Sequence, residues 1–155
     1  MSPYAAVLET ISEDFGVVFR AASSADLEKL RQLSLPESVV DFYAAHEPAE
    51  VVEGQVRLWP IAHILEENRG LIPGVYMCPH GFVVFATTYC GDAYCFDVSK
   101  VRSTGPGIVL VSHDMISEAT TPEEMAGLAK PVSGNLLQFL ESFVRDELDE
   151  DCLYG

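Results

Sequence analysis

The sequence predicts an α+β fold: a single domain in which a mixed, mainly antiparallel sheet is packed by N- and C-terminal helices. Three observations carry this. Up to His46 the apolar residues recur at helical spacing. Between Val51 and Ser112 they gather into short runs bounded by Gly, Pro and Asp, the punctuation of strands and tight turns. From Thr121 onward helical spacing returns. Helices, then strands, then helices is a segregated order, which argues for α+β rather than alternating βαβ units. A chain of 155 residues with 48% hydrophobic content is one domain's length, enough to bury about two-thirds of its unfolded surface.

The elements follow in order. Pro3 to Asp14 reads as a helix through Ala6, Val7, Ile11 and Phe15, closed by Gly16. Ser23 or Ser24 caps a second helix carrying Leu27, Leu30 and Leu33. Ser34 and Glu37 have capping-box spacing, and Pro36 fits the first turn of a third helix that buries Val39, Val40, Phe42 and Tyr43. Val51-Val52 and Val56-Arg57-Leu58-Trp59 flank Glu53-Gly54-Gln55, a hairpin, with Trp59 read as core. Pro60 ends that strand, and Ile61 to Asn68 forms one or two helical turns. Val75 to Cys78 reads as a strand ending at Pro79-His80-Gly81. Phe82 to Ala86 is a continuous apolar run, expected to be central and covered on both faces. Ala93 to Val98 alternates, placing Tyr94, Phe96 and Val98 opposite Cys95 and Asp97. Gly91-Asp92 is the tight turn between these strands. Ile108 to Ser112 is a further strand. Thr121-Pro122-Glu123-Glu124 starts a helix, and Ser133 caps the last one, whose apolar face runs from Leu136 to Leu148.

Charge narrows the function. Twenty-four acidic and nine basic residues leave a net charge of −15. Nucleic-acid binding rests on Lys and Arg displacing counterions, so a polyphosphate ligand is disfavoured, and so is an anionic membrane surface. A protein partner with a basic surface would instead be steered toward the chain. The first basic residue is Arg20, so no charged targeting segment is expected, and no apolar run approaches the length of a membrane span. The expected location is the cytoplasm. There, the four cysteines (Cys78, Cys90, Cys95 and Cys152, with no C-x-x-C pair) are expected to be reduced thiols.

Four segments in a fixed order carry a resemblance. They are Leu35-Pro36-Glu37-Ser38-Val39-Val40-Asp41-Phe42-Tyr43, Leu58-Trp59-Pro60-Ile61, Phe82 to Ala86 with Gly91 to Val98, and Asn135-Leu136-Leu137-Gln138-Phe139-Leu140-Glu141-Ser142-Phe143. Over roughly residues 34–148 the chain resembles the SUKH superfamily, which contains bacterial toxin-immunity proteins and fungal cell-wall assembly regulators. The resemblance implies one SUKH-like domain over residues 1–155, with an acidic tail from about residue 146, that binds another protein and performs no chemistry. The implied function is immunity, in which a toxin domain, possibly a nuclease, is neutralised by occlusion. The alternative is a regulatory interaction module without a toxin. The Gly-Asp pair recurs in the sheet of such proteins, and here it is matched by Gly91 and Asp92.

Read without the resemblance, the chemical constellations are weak. Cys78, His80, Cys90 and Cys95 are zinc-type ligands, but C-x-H and C-x4-C are not common finger spacings, and buried or turn thiols are the plainer reading. His113-Asp114 follows a strand, whereas metal phosphohydrolases place such ligands on separate helices. No G-x-S-x-G, phosphate loop or H-E-x-x-H is present. The sequence therefore assigns no catalytic residue, no metal site and no cofactor; a small zinc or thiol enzyme is the remaining alternative. The partner-binding candidates are Tyr89, an aromatic beside the turn, Asp92, read as a turn or surface acid, and the acids Glu141, Asp146, Glu147, Asp149, Glu150 and Asp151. Those acids crowd a helix C-terminus, where they oppose the dipole. They serve either as a solvated tail or as an electrostatic arm.

Overall fold

The structure is a computed structural model that describes residues 2–100 and 105–148. Its centre is a six-stranded antiparallel meander in the order β3 (Val52–Glu53), β4 (Arg57–Leu58), β5 (Phe82–Thr87), β6 (Ala93–Asp97), β7 (Gly107–Val111) and β8 (Lys130–Ser133). A separate two-stranded ribbon pairs β1 (Phe19–Arg20) with β2 (Glu47–Pro48). The helices are α1 (Ala5–Phe15), α2 (Ser24–Arg31), α3 (Glu37–His46), α4 (Ile61–Arg69), α5 (Gly74–Met77), α6 (Pro122–Leu128) and α7 (Leu136–Val144). This is the α+β architecture the sequence predicts.

The sheet is buried on both faces. One face presents Val83, Phe85, Ala86, Tyr94, Phe96, Ile108 and Leu110 to the main core, where they meet apolar residues of α1, α2, α3, α4 and α7. The other presents Phe82, Val84, Ala93, Cys95, Val109 and Val111, covered by Met77 of α5, Ile116 and Met125 of α6. Period-two alternation sorts β6 and β7 cleanly. In β5 the register shifts between Val84 and Ala86, and Phe85 and Ala86 consequently fall on the same face, as a β-bulge requires.

Burial on both sides excludes water, so backbone groups that lack a strand partner need another one. Strand β4 leaves the sheet at Pro60, soon after Trp59 N donates to Phe85 O at 3.3 Å. Beyond that point Asn68 of α4 takes over as a surrogate strand. Its Oδ1 accepts from Val84 N, and its Nδ2 donates to Val84 O, each at 2.8 Å. The same Nδ2 also reaches Ile64 O. Helix α4 raises a similar problem, because its N-cap is Pro60, which has no side-chain acceptor. The buried Glu47 carboxylate supplies the cap from β2, accepting from Ile61 N at 3.0 Å, and Arg20 lies across the ribbon at 3.5 Å.

Several local expectations are corrected. Ser34 does not cap α3. It sits at φ 65°, outside the extended geometry of a cap, and Pro36 holds that position while Glu37 pairs with Arg31 at 3.1 Å. Val75 to Cys78 is helical, the end of α5 and the start of a 3-10 turn at Cys78–His80. Ser133 lies in β8, and the cap of α7 is Asn135, whose side chain accepts from Gln138 N at 2.9 Å. The capping box at Thr121 is present as predicted, with both reciprocal bonds at 3.1 Å.

Two predictions follow from this packing. Asn68→Leu leaves both Val84 backbone groups buried and unpaired, and chemical denaturation should show a loss of about 2–4 kcal/mol. The second concerns His46, whose ring lies near Phe42 and Tyr4, with Nε2 3.2 Å from Ser2 Oγ; burial lowers its pKa. The unfolded chain then takes up the proton first. This contribution is present in full above the ordinary histidine value near about 6.5 and is lost as pH falls through it toward the lowered folded value. Between about pH 7 and pH 5.5 the wild type should therefore lose stability faster than His46→Phe in parallel urea titrations.

Candidate functional site

The hairpin joining β3 to β4 turns at Gly54, and Tyr89 and the chain just beyond Asp146 and Glu147 reach this tip. The site begins with a close approach. A Cβ on Gly54 would lie 2.6 Å from the Phe143 ring and 2.8 Å from the Phe15 ring, so only glycine lets α1 and α7 press against the turn. On one side the Tyr89 hydroxyl donates to Gly54 O at 3.2 Å. On the other, Gln55 grips the chain beyond α7: its Oε1 accepts from Leu148 N at 3.0 Å, and its Nε2 donates to Leu148 O.

The acidic segment is shaped to make that contact. Helix α7 ends in a Schellman motif, with Asp146 at φ 55° in the left-handed position, Asp146 N donating to Phe143 O at 3.3 Å and Glu147 N to Ser142 O at 2.9 Å. The turn sends Leu148 back into the core and leaves Asp146 and Glu147 exposed. Glu141 lies one turn earlier, 3.9 Å from Arg145. Asp149, Glu150 and Asp151 lie outside the described residues.

Tyr89 is 55% exposed and begins a stacked column. The Arg57 guanidinium lies 5.0 Å from the Tyr89 ring centroid and 5.3 Å from that of Trp59. Trp59 in turn stacks on His63 of α4 with centroids 3.5 Å apart. Polar contacts fix each member. Arg57 Nη2 donates to Thr88 O at 2.8 Å, Trp59 Nε1 donates to Thr87 Oγ1 at 2.9 Å, and the His63 ring lies 3.0 Å from Glu67 and 3.4 Å from Glu66. Trp59, expected in the core, is thus half-buried with one part in the column. Sequence reasoning missed Arg57 and His63. The alternation Arg57, Leu58, Trp59 is the local signal that the two flanking side chains share a side, but nothing local places Tyr89 beside them.

Of the two readings the sequence allows for Asp92, the structure shows the turn acid. It is 1% exposed, because it is used inside the turn. Its Oδ1 accepts from His113 N at 3.2 Å and lies 2.8 Å from His113 Nδ1, tying the β5–β6 turn to the end of β7. Thr88 Oγ1 accepts from Cys90 N and Asp92 N, and Gly91 adopts φ 91°, a conformation that L side chains rarely take. Asp92 therefore holds the turn that carries Tyr89. The His113 ring lies between Asp92 and Asp114, 3.1 Å from the latter.

A family model described as the SMI1 / KNR4 family (SUKH-1) matches residues 21–142. The chain belongs to this family. A search among curated proteins finds no match. SUKH membership covers both toxin-immunity and regulatory interaction proteins, and it accords with the sheet and flanking helices seen in this SUKH-1 chain.

The zinc-type ligands do not converge. Among the described residues, no group of three or more His, Cys, Asp and Glu side chains is placed to hold a metal ion. No helix among them is long and apolar enough to cross a membrane. Cys78 and Cys95 are free thiols, whereas Cys90 is disulfide-bonded, contrary to the expectation of reduced cysteines throughout; Cys152 lies outside the described residues. Burial pushes the Cys95 thiol well up and the Cys78 thiol up as well. With a thiol-specific disulfide reagent at about pH 8, Cys78 should react slowly, and Cys95 only once denaturant unfolds the chain.

Proposed function

We propose that this SUKH-1 protein is a non-enzymatic immunity protein, binding a toxin domain with a basic surface and blocking it by occlusion. The observation that carries the reading is the convergence at the β3–β4 tip: Tyr89 docks on Gly54 and the acidic segment on Gln55, so an aromatic anchor and exposed carboxylates share one edge of the fold. Asp146 and Glu147 sit at the negative end of the α7 dipole, where they cost helix stability, a placement better suited to attracting a cation than to holding the helix. The net charge of −15 supplies the long-range field. A nuclease toxin grips nucleic acid through a basic groove, and an acidic inhibitor competes for that groove by presenting charge where phosphates would lie.

The test is affinity capture from native lysate with low- and high-salt washes, followed by kinetics on the captured partner. A basic toxin held at low salt and released by high salt supports immunity; recurrent signalling or envelope proteins would turn the assignment to a regulatory module. With the toxin in hand, Asp146→Asn with Glu147→Lys should slow association by about tenfold at low salt and much less at high salt. Asn is chosen because it tolerates the left-handed position that Asp146 occupies. An association rate unchanged at low salt would remove these acids from the interface.

A further inference from the structure

We propose that the column Tyr89–Arg57–Trp59–His63 is the anchor of the partner interface, and that its occupant is an arginine side chain of a basic protein, seated on the exposed part of Tyr89 so that the column gains a fifth member. This rests on the reading above that the partner is basic, and not on its being a toxin.

Four features of the column lead there. Its members include Tyr, Arg and Trp, the residue types enriched where binding energy concentrates. It is built from three separate parts of the chain, the β5–β6 turn, the β4 strand and α4, and each member is fixed by a polar contact already described, so little side-chain freedom remains to be lost on binding. The Arg57 Nε is buried without a hydrogen-bond partner, so stacking between the two rings helps to set the guanidinium's place. Tyr89 already holds one guanidinium against its ring while 55% of the residue faces solvent, which is the geometry a second cation needs.

Charge then selects the occupant. The column's own guanidinium is engaged, Arg57 lying between two rings, and the His63 ring lies between Glu66 and Glu67. The rim is acidic: Glu53 lies opposite Arg57 in the strand register and is exposed, Glu66 is exposed beside His63, and Asp146 and Glu147 precede the Leu148 that Gln55 holds. An incoming carboxylate would meet these acids, whereas an arginine finds both a π-face and carboxylates to pair with.

Trp59 is the single tryptophan of the chain and lies inside the column, so its emission reports on the site directly. The probe is an oligoarginine peptide, with oligoglutamate as the control, added to the intact protein. A saturable change in Trp59 emission with oligoarginine alone is expected, together with amide NMR shifts centred on Gly54, Arg57 and Tyr89. Tyr89→Ala should weaken binding by about tenfold, while Tyr89→Phe, which keeps the ring, should stay within about twofold. Thermal melts of both variants check that they remain folded. Shifts confined to Glu141, Asp146 and Glu147, or full affinity in a folded Tyr89→Ala, would overturn the proposal. Oligoarginine binding that depends on Tyr89, alongside a lysate capture that yields no toxin, would remove the toxin and leave the anchor. A toxin captured with equal affinity by Tyr89→Ala would do the reverse.

Discussion

The central strands of the sheet are covered on both faces, so their backbone groups are cut off from water, and much of the specific polar chemistry of this fold answers that constraint. Strands β5, β6 and β7 are buried along their whole length. Wherever the ladder is interrupted, a buried polar side chain stands in for the missing partner. Asn68 completes Val84 beside the bulge, Asp97 accepts from Ser99 N where β6 ends, and Asp92 joins the β5–β6 turn to His113. Glu47 does the same for the first turn of α4. Leaving such a group unpaired costs more than making the bond gains, so these few polar residues fix the register of the apolar ones around them.

The charge balance shows a similar division of labour. Among the described residues, Arg20, Arg31 and Arg145 pair with the chain's own carboxylates, and Arg57 is stacked between aromatic rings. Exposed pairs of this kind contribute little to stability individually. Their effect on the field is also small, because twenty-four acids face nine bases. A negative potential therefore extends into solvent and weakens with salt, raising the encounter rate with a basic protein more than the strength of the final complex. Tight binding then needs a desolvated anchor, and the column at the β3–β4 tip is the place where the fold offers aromatic surface amid acids.

Much of the fold was legible because its strongest signals are local. The run Phe82 to Ala86 announced a strand covered on both faces, and Thr121 to Glu124 announced a capping box; both depend on residues within a few positions of one another. The misread elements are those where a local signal lost to geometry. Ser34 has the chemistry of a cap but a positive φ. Four residues of α5 are too few to show a helical period. Strand β8 takes in Ser133, which has the chemistry of a cap, and tolerates Pro131 because as the last strand of the sheet it needs a partner on one side only. The binding edge was half visible. Tyr89 and the C-terminal acids stood out by type, but Arg57 meets Tyr89 across about thirty residues of intervening chain, through the pairing of β4 with β5, which no spacing rule detects.

Asp92 connects the two halves of this account. The sequence singled it out as a partner contact, and the structure buries it, yet its position still bears on binding. By engaging His113 while Thr88 closes the same turn, it fixes the loop from which Tyr89 projects. A side chain ordered before encounter avoids about 0.5–1.5 kcal/mol of entropy loss on binding, which is comparable to what one cation–π contact returns. An exposed aromatic on a loose turn would lose most of its contact energy to ordering; on this turn it retains it. A Gly-Asp pair in the sheet thus needs no chemistry of its own to matter for binding: Gly91 allows the turn, Asp92 locks it, and the residue proposed to meet the partner lies just before them.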